Sequence, residues 1–293
     1  MGNSIAVAHD PSAPAGHLPG FAREERQRRS QQKKVDTLTG SLTTRAELER
    51  AMTASRPTPT DIGLFEAIYT ARSLRHFKPD PVPPELITQV LDAAIRASSG
   101  GNTQHWTFIV VRDAEKRRQI AAIYRKASDY ASAVYSSRLK PDHLTDEQYA
   151  QFLANSGYLW DHMADSPVIL VPCLAKREPP ERATLPESVQ ARYADHLANV
   201  QRISGSSIYP AIQNIILACR GLGLGTVITT NHMLYENEVK AVLGIPDNVA
   251  TFALMPLGYP TKKYGPLTRK PVAEVTYADS WGNAWPTAAS PAS

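Results

Sequence analysis

The chain has 293 residues, 42% hydrophobic and 20% charged, and a formal net charge of +4. That length can bury a full core in one large domain or two small ones. The basic excess is too slight to mark a nucleic-acid-binding protein. Part of the excess is local, because Arg23, Arg26, Arg28, Arg29, Lys33 and Lys34 face only Glu24 and Glu25. Such a run can touch nucleic acid or anionic lipid, but its first reading is a solvated tail. No apolar stretch is long enough to span a bilayer, and the N-terminus lacks the apolar core of a secretory signal. The expectation is a cytoplasmic protein with neither membrane nor nucleic acid as partner.

Residues 1–60 are expected to be an N-terminal extension, extended or disordered, rich in Pro, Gly, Ser and charge with little apolar periodicity. A short helix is predicted from Thr44 to Met52, with Glu47 in the capping-box position, ended by Pro57-Thr58-Pro59. From Leu64 onward the pattern is that of a compact domain. Pro83 and Pro84 announce a helix over Glu85 to Ala97, whose Leu86, Val90, Leu91, Ala94 and Ile95 share one face. Trp106 to Val111 is aromatic and β-branched and predicts a strand. A polar helix follows from Ala114 to about Ala133, and Ser136 to Ala154 has no readable form. Pro167 to Leu174 is apolar almost throughout, a strand buried on both faces.

Beyond a loop over Arg177 to Pro186, helices are expected from Ser188 to Ile203 and from Ser207 to Arg220. The second is the strongest core helix, with Ile208, Ala211, Ile212, Ile215, Ile216 and Cys219 apolar. Strands over Leu224 to Thr229 and Thr251 to Leu257 flank a helix over Glu236 to Leu243. The alternation of helices and strands gives an α/β or α+β sandwich. Cys173 and Cys219, the two cysteines, fall in apolar runs and read as buried thiols without a disulfide.

Two segments carry the chemistry. Arg72-Ser73-Leu74-Arg75-His76-Phe77 places two guanidinium groups and a hydroxyl within a few residues, a set suited to a phosphate monoester. Ser98-Ser99-Gly100-Gly101-Asn102-Thr103-Gln104-His105-Trp106 is a loop of small and amide residues, able to lie against a planar heterocycle and bond its edge. Together they point to a phosphate-tailed aromatic cofactor, with flavin mononucleotide (FMN) the best fit. Lys262, Lys263, Arg269 and Lys270 offer a third basic group. Thr229, Thr230 and Asn231 end a strand where a ligand can meet them.

The alternating glycines of Gly221-Leu222-Gly223-Leu224-Gly225 follow a helix and not a strand, so they read as a helix cap and not a dinucleotide loop. Eight histidines form no metal motif, and nucleophile-elbow and Walker patterns are missing. No side chain is assigned as catalytic, and no metal is expected.

At these residues the chain resembles the nitroreductase superfamily of FMN-dependent oxidoreductases, from about Leu64 to Trp281. The matching pieces are Arg72-Ser73-x-Arg75-x-Phe77, Ala97-Ser98-Ser99-x-x-Asn102-x-Gln104-x-Trp106, the helix through Asn214 into Gly221–Gly225, and Leu257-Gly258-Tyr259-Pro260 with Arg269-Lys270-Pro271. Ser98 and His105 stand where the family usually has proline. The resemblance implies an α+β sandwich, a central and mostly antiparallel sheet flanked by helices, and an intertwined homodimer with FMN at the interface. It implies that residues 61–293 form the FMN-binding domain, with a lid-like insertion around 136–186.

By the same resemblance Arg72, Ser73, Arg75 and Arg269 hold the phosphate and ribityl side, with Arg75 toward the N1/O2 edge. Ser98, Ser99, Gly100 and Asn102 come from the partner subunit, Gln104 is a further cofactor-binding residue, and Thr229, Thr230 and Asn231 face the N5/O4 edge. The implied activity is ping-pong hydride transfer from NADH or NADPH to a small aromatic substrate such as a nitroaromatic or a quinone. A reductive dehalogenase and a flavin-binding module without turnover are the alternatives.

Overall fold

The computed structural model describes residues 62–286 apart from 138 and 177. The chain divides into two units, Met1–Arg56 and Pro57–Ser293, and all described residues lie in the second. The expected helix at Thr44–Met52, the basic run and the rest of the extension fall outside the described residues.

The helices are α1 (Leu64–Thr70), α2 (Pro84–Ala94), α3 (Ala114–Ser136), α4 (Asp146–His162), α5 (Glu187–Gln190), α6 (Tyr193–Arg202), α7 (Ile208–Gly221) and α8 (Glu236–Leu243). The strands are β1 (Trp106–Val111), β2 (Val168–Ala175), β3 (Gly225–Thr226), β4 (Val249–Thr251) and β5 (Met255–Gly258). All pairings are antiparallel, in the order β1-β2-β5-β3 with β4 also on β2. This is the expected α+β sandwich.

Strand β2 explains the layering. Side chains alternate across a strand, and here Val168 and Leu170 join one core while Ile169, Val171 and Cys173 join the other. The first core takes Ile87, Val90 and Ala94 from α2 and Ile208, Ile212 and Ile215 from α7. The second takes Ile120 and Tyr124 from α3 and Leu159 from α4. A strand buried on both faces must be apolar at every position, which is why 168–173 carries no polar residue.

Local chemistry sets the ends of the elements. Pro84 occupies the first turn of α2, where a missing N–H costs nothing. Asp113 caps α3 by accepting from Lys116 N at 2.8 Å. Thr145 and Gln148 form a reciprocal capping box at the start of α4. After α7, Gly223 adopts φ +73° and Leu224 N donates to Cys219 O at 2.8 Å, so these glycines end a helix as expected.

The helix expected over Ser188–Ile203 is broken into α5 and α6, and three further expectations need redrawing. The strand expected over Leu224–Thr229 is regular only at Gly225–Thr226, although Thr229 still bridges Leu254 in the same register. Continuing that register puts Pro256 opposite Val227. Proline has no N–H to give the ladder, so the pairing lapses there. The strand expected over Thr251–Leu257 splits for a related reason, since Leu254 exchanges both backbone bonds with Thr229 and turns away from β2. The stretch 136–186 is no single lid, because it contains β2, the strand with most partners, and α4, whose Leu159 is buried. No helix among the described residues is long and apolar enough to cross a membrane.

Candidate functional site

The segment after α1 is laid flat along the edge of the sheet. Leu74 N donates to Thr226 O at 3.1 Å, Lys78 N to Tyr259 O at 2.8 Å, and Thr261 N to His76 O at 3.0 Å. Leu74 turns inward and is buried. Glycine is required beneath it: a Cβ at Gly225 would meet Pro260 Cβ at 3.0 Å and Leu74 Cβ at 3.1 Å, and one at Gly258 would meet Pro167 at 2.8 Å. On the outside, His76 stacks on Tyr158 of α4, which stacks in turn on His162, with centroids 3.6 and 4.0 Å apart.

This arrangement opens a cleft of about 620 Å³. Arg72 and Ser73 form one wall, Gln213 and Ile216 of α7 another, and Thr226, Val227 and Ile228 lie beneath. Leu267 N donates to Tyr69 O at 3.1 Å, which swings the C-terminal segment across so that Arg269 joins the lining. Neither Arg72 nor Arg269 has a carboxylate partner among the described residues. Among the described residues Arg269 donates only to the neighbouring carbonyl of Thr268, at 2.8 Å. Two cations without a carboxylate partner, in a cleft that also offers Ser73 and Gln213, have the chemistry to attract an anion. Lys262, another basic candidate, is turned to Asn155 Oδ1 at 3.4 Å.

Arg75 is half-buried beyond Ser73. Burial lowers the pKa of its guanidinium, Tyr124 opposes that effect, and Arg72 adds to it. Tyr124, raised by burial, accepts a hydrogen bond on Oη from Thr229 Oγ1 at 3.1 Å. Thr229, Thr230 and Asn231 thus follow directly on the cleft floor without lining it, and Asn231 opens a 3-10 turn.

The amide loop lies elsewhere. Ser99 Oγ accepts from Gln104 N at 2.9 Å, Gln104 Nε2 donates to Asn102 Oδ1 at 3.0 Å, and Gly100 N donates to Ser207 Oγ at 3.2 Å. Gly101, Asn102 and Gln104 have φ of 59°, 52° and 49°, the left-handed region that glycine adopts freely, asparagine occasionally and glutamine rarely. Ser98, Ser99, Gly100, Asn102 and Gln104 are absent from the cleft lining. One chain alone does not bring its two chemistry-bearing segments together.

Both cysteines are free and buried, and burial pushes the Cys173 thiol up to about 12. His232 is buried too. Its Nε2 lies 3.0 Å from Thr251 Oγ1, which itself donates to Glu236 Oε1, so Nε2 carries the proton and Nδ1 is left without a partner. No cluster of three metal-ligating side chains exists among the described residues. Sequence reasoning missed Gln213 and Thr226 in the lining and Tyr124 behind it. Gln213 is legible in hindsight as an amide among the apolar residues of α7.

Known proteins resemble this chain in sequence and in fold. NADH dehydrogenase of Thermus thermophilus is 29% identical over 206 residues, 70% of this chain and 90% of that protein. Iodotyrosine deiodinase 1 of Rattus norvegicus is 25% identical over 198 residues, 68% of this chain but 62% of the relative. Among solved structures, oxidised iodotyrosine deiodinase bound to FMN and 3-iodo-L-tyrosine superposes with a TM-score of 0.52 at 21% identity. That match covers 71% of this chain and 96% of the other. The model of the nitroreductase family matches residues 68–259, from α1 to the end of the sheet, and the chain belongs to that family.

Proposed function

We propose that the cleft holds FMN and that the protein is an FMN-dependent oxidoreductase, using NAD(P)H to reduce small electron-poor aromatics such as nitroarenes and quinones. One observation carries this reading: Arg72 and Arg269, both without a carboxylate partner among the described residues, line one cleft together with the Ser73 hydroxyl. A dianionic phosphate needs that donor set. The volume of about 620 Å³ lies in the range of small-molecule sites, ~300–1,000 Å³. Ile68, Tyr69, Ile216, Val227 and Ile228 supply apolar walls for a ring system. Support also comes from the FMN-bound deiodinase structure and the relative named NADH dehydrogenase.

In this reading Arg72, Ser73 and Arg269 bind the phosphate. Arg75, a half-buried cation behind Ser73, offsets negative charge on the ring edge, an effect that low dielectric strengthens. Thr229, held by Tyr124, with Thr230 and Asn231 flanks the opposite edge. Ser98, Ser99, Gly100, Asn102 and Gln104 of a second copy close the site, which makes the active form a homodimer. The bound flavin supplies two-electron redox chemistry that none of the lining side chains possesses. Donor and acceptor take turns in the cleft, so double-reciprocal plots should be parallel.

The experiment is an absorption spectrum of the purified protein with FMN, followed by steady-state kinetics with NADH, NADPH and a nitroarene. Flavin-loaded protein that never oxidises either nucleotide would overturn the oxidoreductase reading. The similarity to iodotyrosine deiodinase favours a second reading, reductive dehalogenation of a halogenated aromatic. Release of iodide from 3-iodotyrosine under reducing conditions, without nitroarene turnover, would select it.

A further inference from the structure

The most heavily engaged cation of the described chain lies outside the lining. Arg220, in the last turn of α7, has a side chain only 15% exposed. Its Nε donates to Thr70 Oγ1 at 2.8 Å and its Nη2 to Glu66 Oε1 at 3.1 Å, both on α1. Its guanidinium carbon stands 4.2 Å over the ring of Tyr264, and Tyr264 Oη donates to Leu224 O at 2.6 Å. One planar group therefore joins α1, α7 and the segment that begins at Tyr264. Each has a bearing on the phosphate end: Arg72 lies two residues beyond the end of α1, and Arg269 lies five residues beyond Tyr264. Leu267 is fastened to Tyr69 between them, and a Cβ at Gly265 would come within 3.6 Å of Arg72 Nη1.

We infer that Arg220 is a positioning residue for phosphate recognition: it fixes the two strands of chain that carry Arg72 and Arg269 at the spacing one phosphate needs. This rests on the proposed reading of the cleft as an FMN site. Two arginines lining one cleft repel each other, so the bracket must be held from outside the site. Arg220 suits the task because its fork bonds two acceptors while its flat face stacks on Tyr264, which a lysine cannot do. Its location at the C-terminal end of a helix also favours a cation there.

The test compares FMN with riboflavin, which has the same ring and no phosphate. Wild-type protein, Arg220→Gln, Arg220→Lys and Thr70→Val are titrated with each ligand by flavin fluorescence. Arg220→Gln should lower the preference for FMN over riboflavin by about tenfold, the scale on which small misplacements of binding groups act. Riboflavin affinity should hardly change. Arg220→Lys should not restore the preference, since it returns the charge without the fork or the stack. Thr70→Val removes one acceptor at nearly constant shape, should act in the same direction more weakly, and carries the test if Arg220→Gln does not fold. An equal loss for both ligands would mean that Arg220 is simply structural, and recovery in Arg220→Lys would mean that it acts as a distant charge. Either result overturns the inference. A wild-type protein that binds neither flavin would instead overturn the reading of the cleft.

Discussion

Replacing Gly258 by alanine tests whether the bed beneath the Arg72–Phe77 segment is as tight as the geometry says. The new methyl would sit 2.8 Å from Pro167 Cδ, 2.9 Å from Pro167 Cγ and 3.2 Å from Phe77 Cδ1. The proline ring cannot rotate away, and it directly precedes β2. The remaining freedom belongs to Phe77, whose backbone bridges Pro260, so relief there drags on the segment that carries Arg72. Overpacking of this kind costs about 1–3 kcal/mol. At ~2–4 °C per kcal/mol for a domain of this size, the melting temperature should fall by roughly 2–12 °C. FMN affinity should fall with it. Gly221→Ala is the matched control, because its Cβ meets nothing within 4 Å and alanine is the better helix former. Differential scanning fluorimetry with and without FMN reads both effects. A Gly258→Ala protein that melts with wild type or above the control would refute the reasoning.

Arg72→Ala and Arg269→Ala should each weaken FMN about 10- to 150-fold, the loss expected for a charge-assisted hydrogen bond worth ~1.5–3 kcal/mol. Riboflavin affinity should stay near wild type, and isothermal titration that finds both ligands equally affected would count against a phosphate role. Burial depresses His232 from its ordinary 6.5 to about 4, so the unfolded chain binds the extra proton between those values. The resulting stability is complete above pH 6.5 and is lost as pH falls toward 4, by about 3 kcal/mol in total. Urea denaturation at pH 7, 5.5 and 4 should show this loss in wild type and not in His232→Gln; equal slopes in the two would refute it. Cys173, pushed up to about 12, and Cys219, raised by complete burial, should resist a thiol reagent at pH 8 until the protein is unfolded. Rapid labelling of the native protein would contradict both placements.

The sequence is legible where one residue's behaviour does not depend on a distant partner. The helix expected over Ser207–Arg220 is observed at Ile208–Gly221, and the strand expected at Trp106–Val111 and the helix expected at Glu236–Leu243 keep their bounds. Arg72, Ser73 and Arg269 stand out in the sequence as cations and a hydroxyl, and the structure brings the three to one cleft. Helix α4 was not readable: Leu159 is its one fully buried residue, and Tyr149 and Phe152 stack on each other at the surface, so no apolar stripe marks it. Its capping box at Thr145 and Gln148 was the available signal. The lapse opposite Pro256 depends on which strand lies beside it, which the spacing of apolar residues cannot reveal. Arg220 looked like any basic residue ending a helix, since its acceptors Glu66 and Thr70 are 154 and 150 residues away.

The amide loop offers a sharper test of what its shape is for. Asn102 at φ 52° is an ordinary occupant of the left-handed region, but Gln104 at φ 49° is not. A residue held there costs about 1 kcal/mol or more, and glycine would remove the strain at an entropic cost of ~0.5–1 kcal/mol. The two nearly cancel, so Gln104→Gly should leave global stability within about 1 kcal/mol of wild type. Among the described residues its side chain bonds only Asn102 Oδ1, so little else is lost on folding. If the loop closes the cleft of a second copy, FMN affinity in the assembled protein should nonetheless drop, without a change in oligomeric state by light scattering. A variant that is clearly destabilised but binds FMN like wild type would show that the strained residue serves its own fold and not a neighbour's flavin.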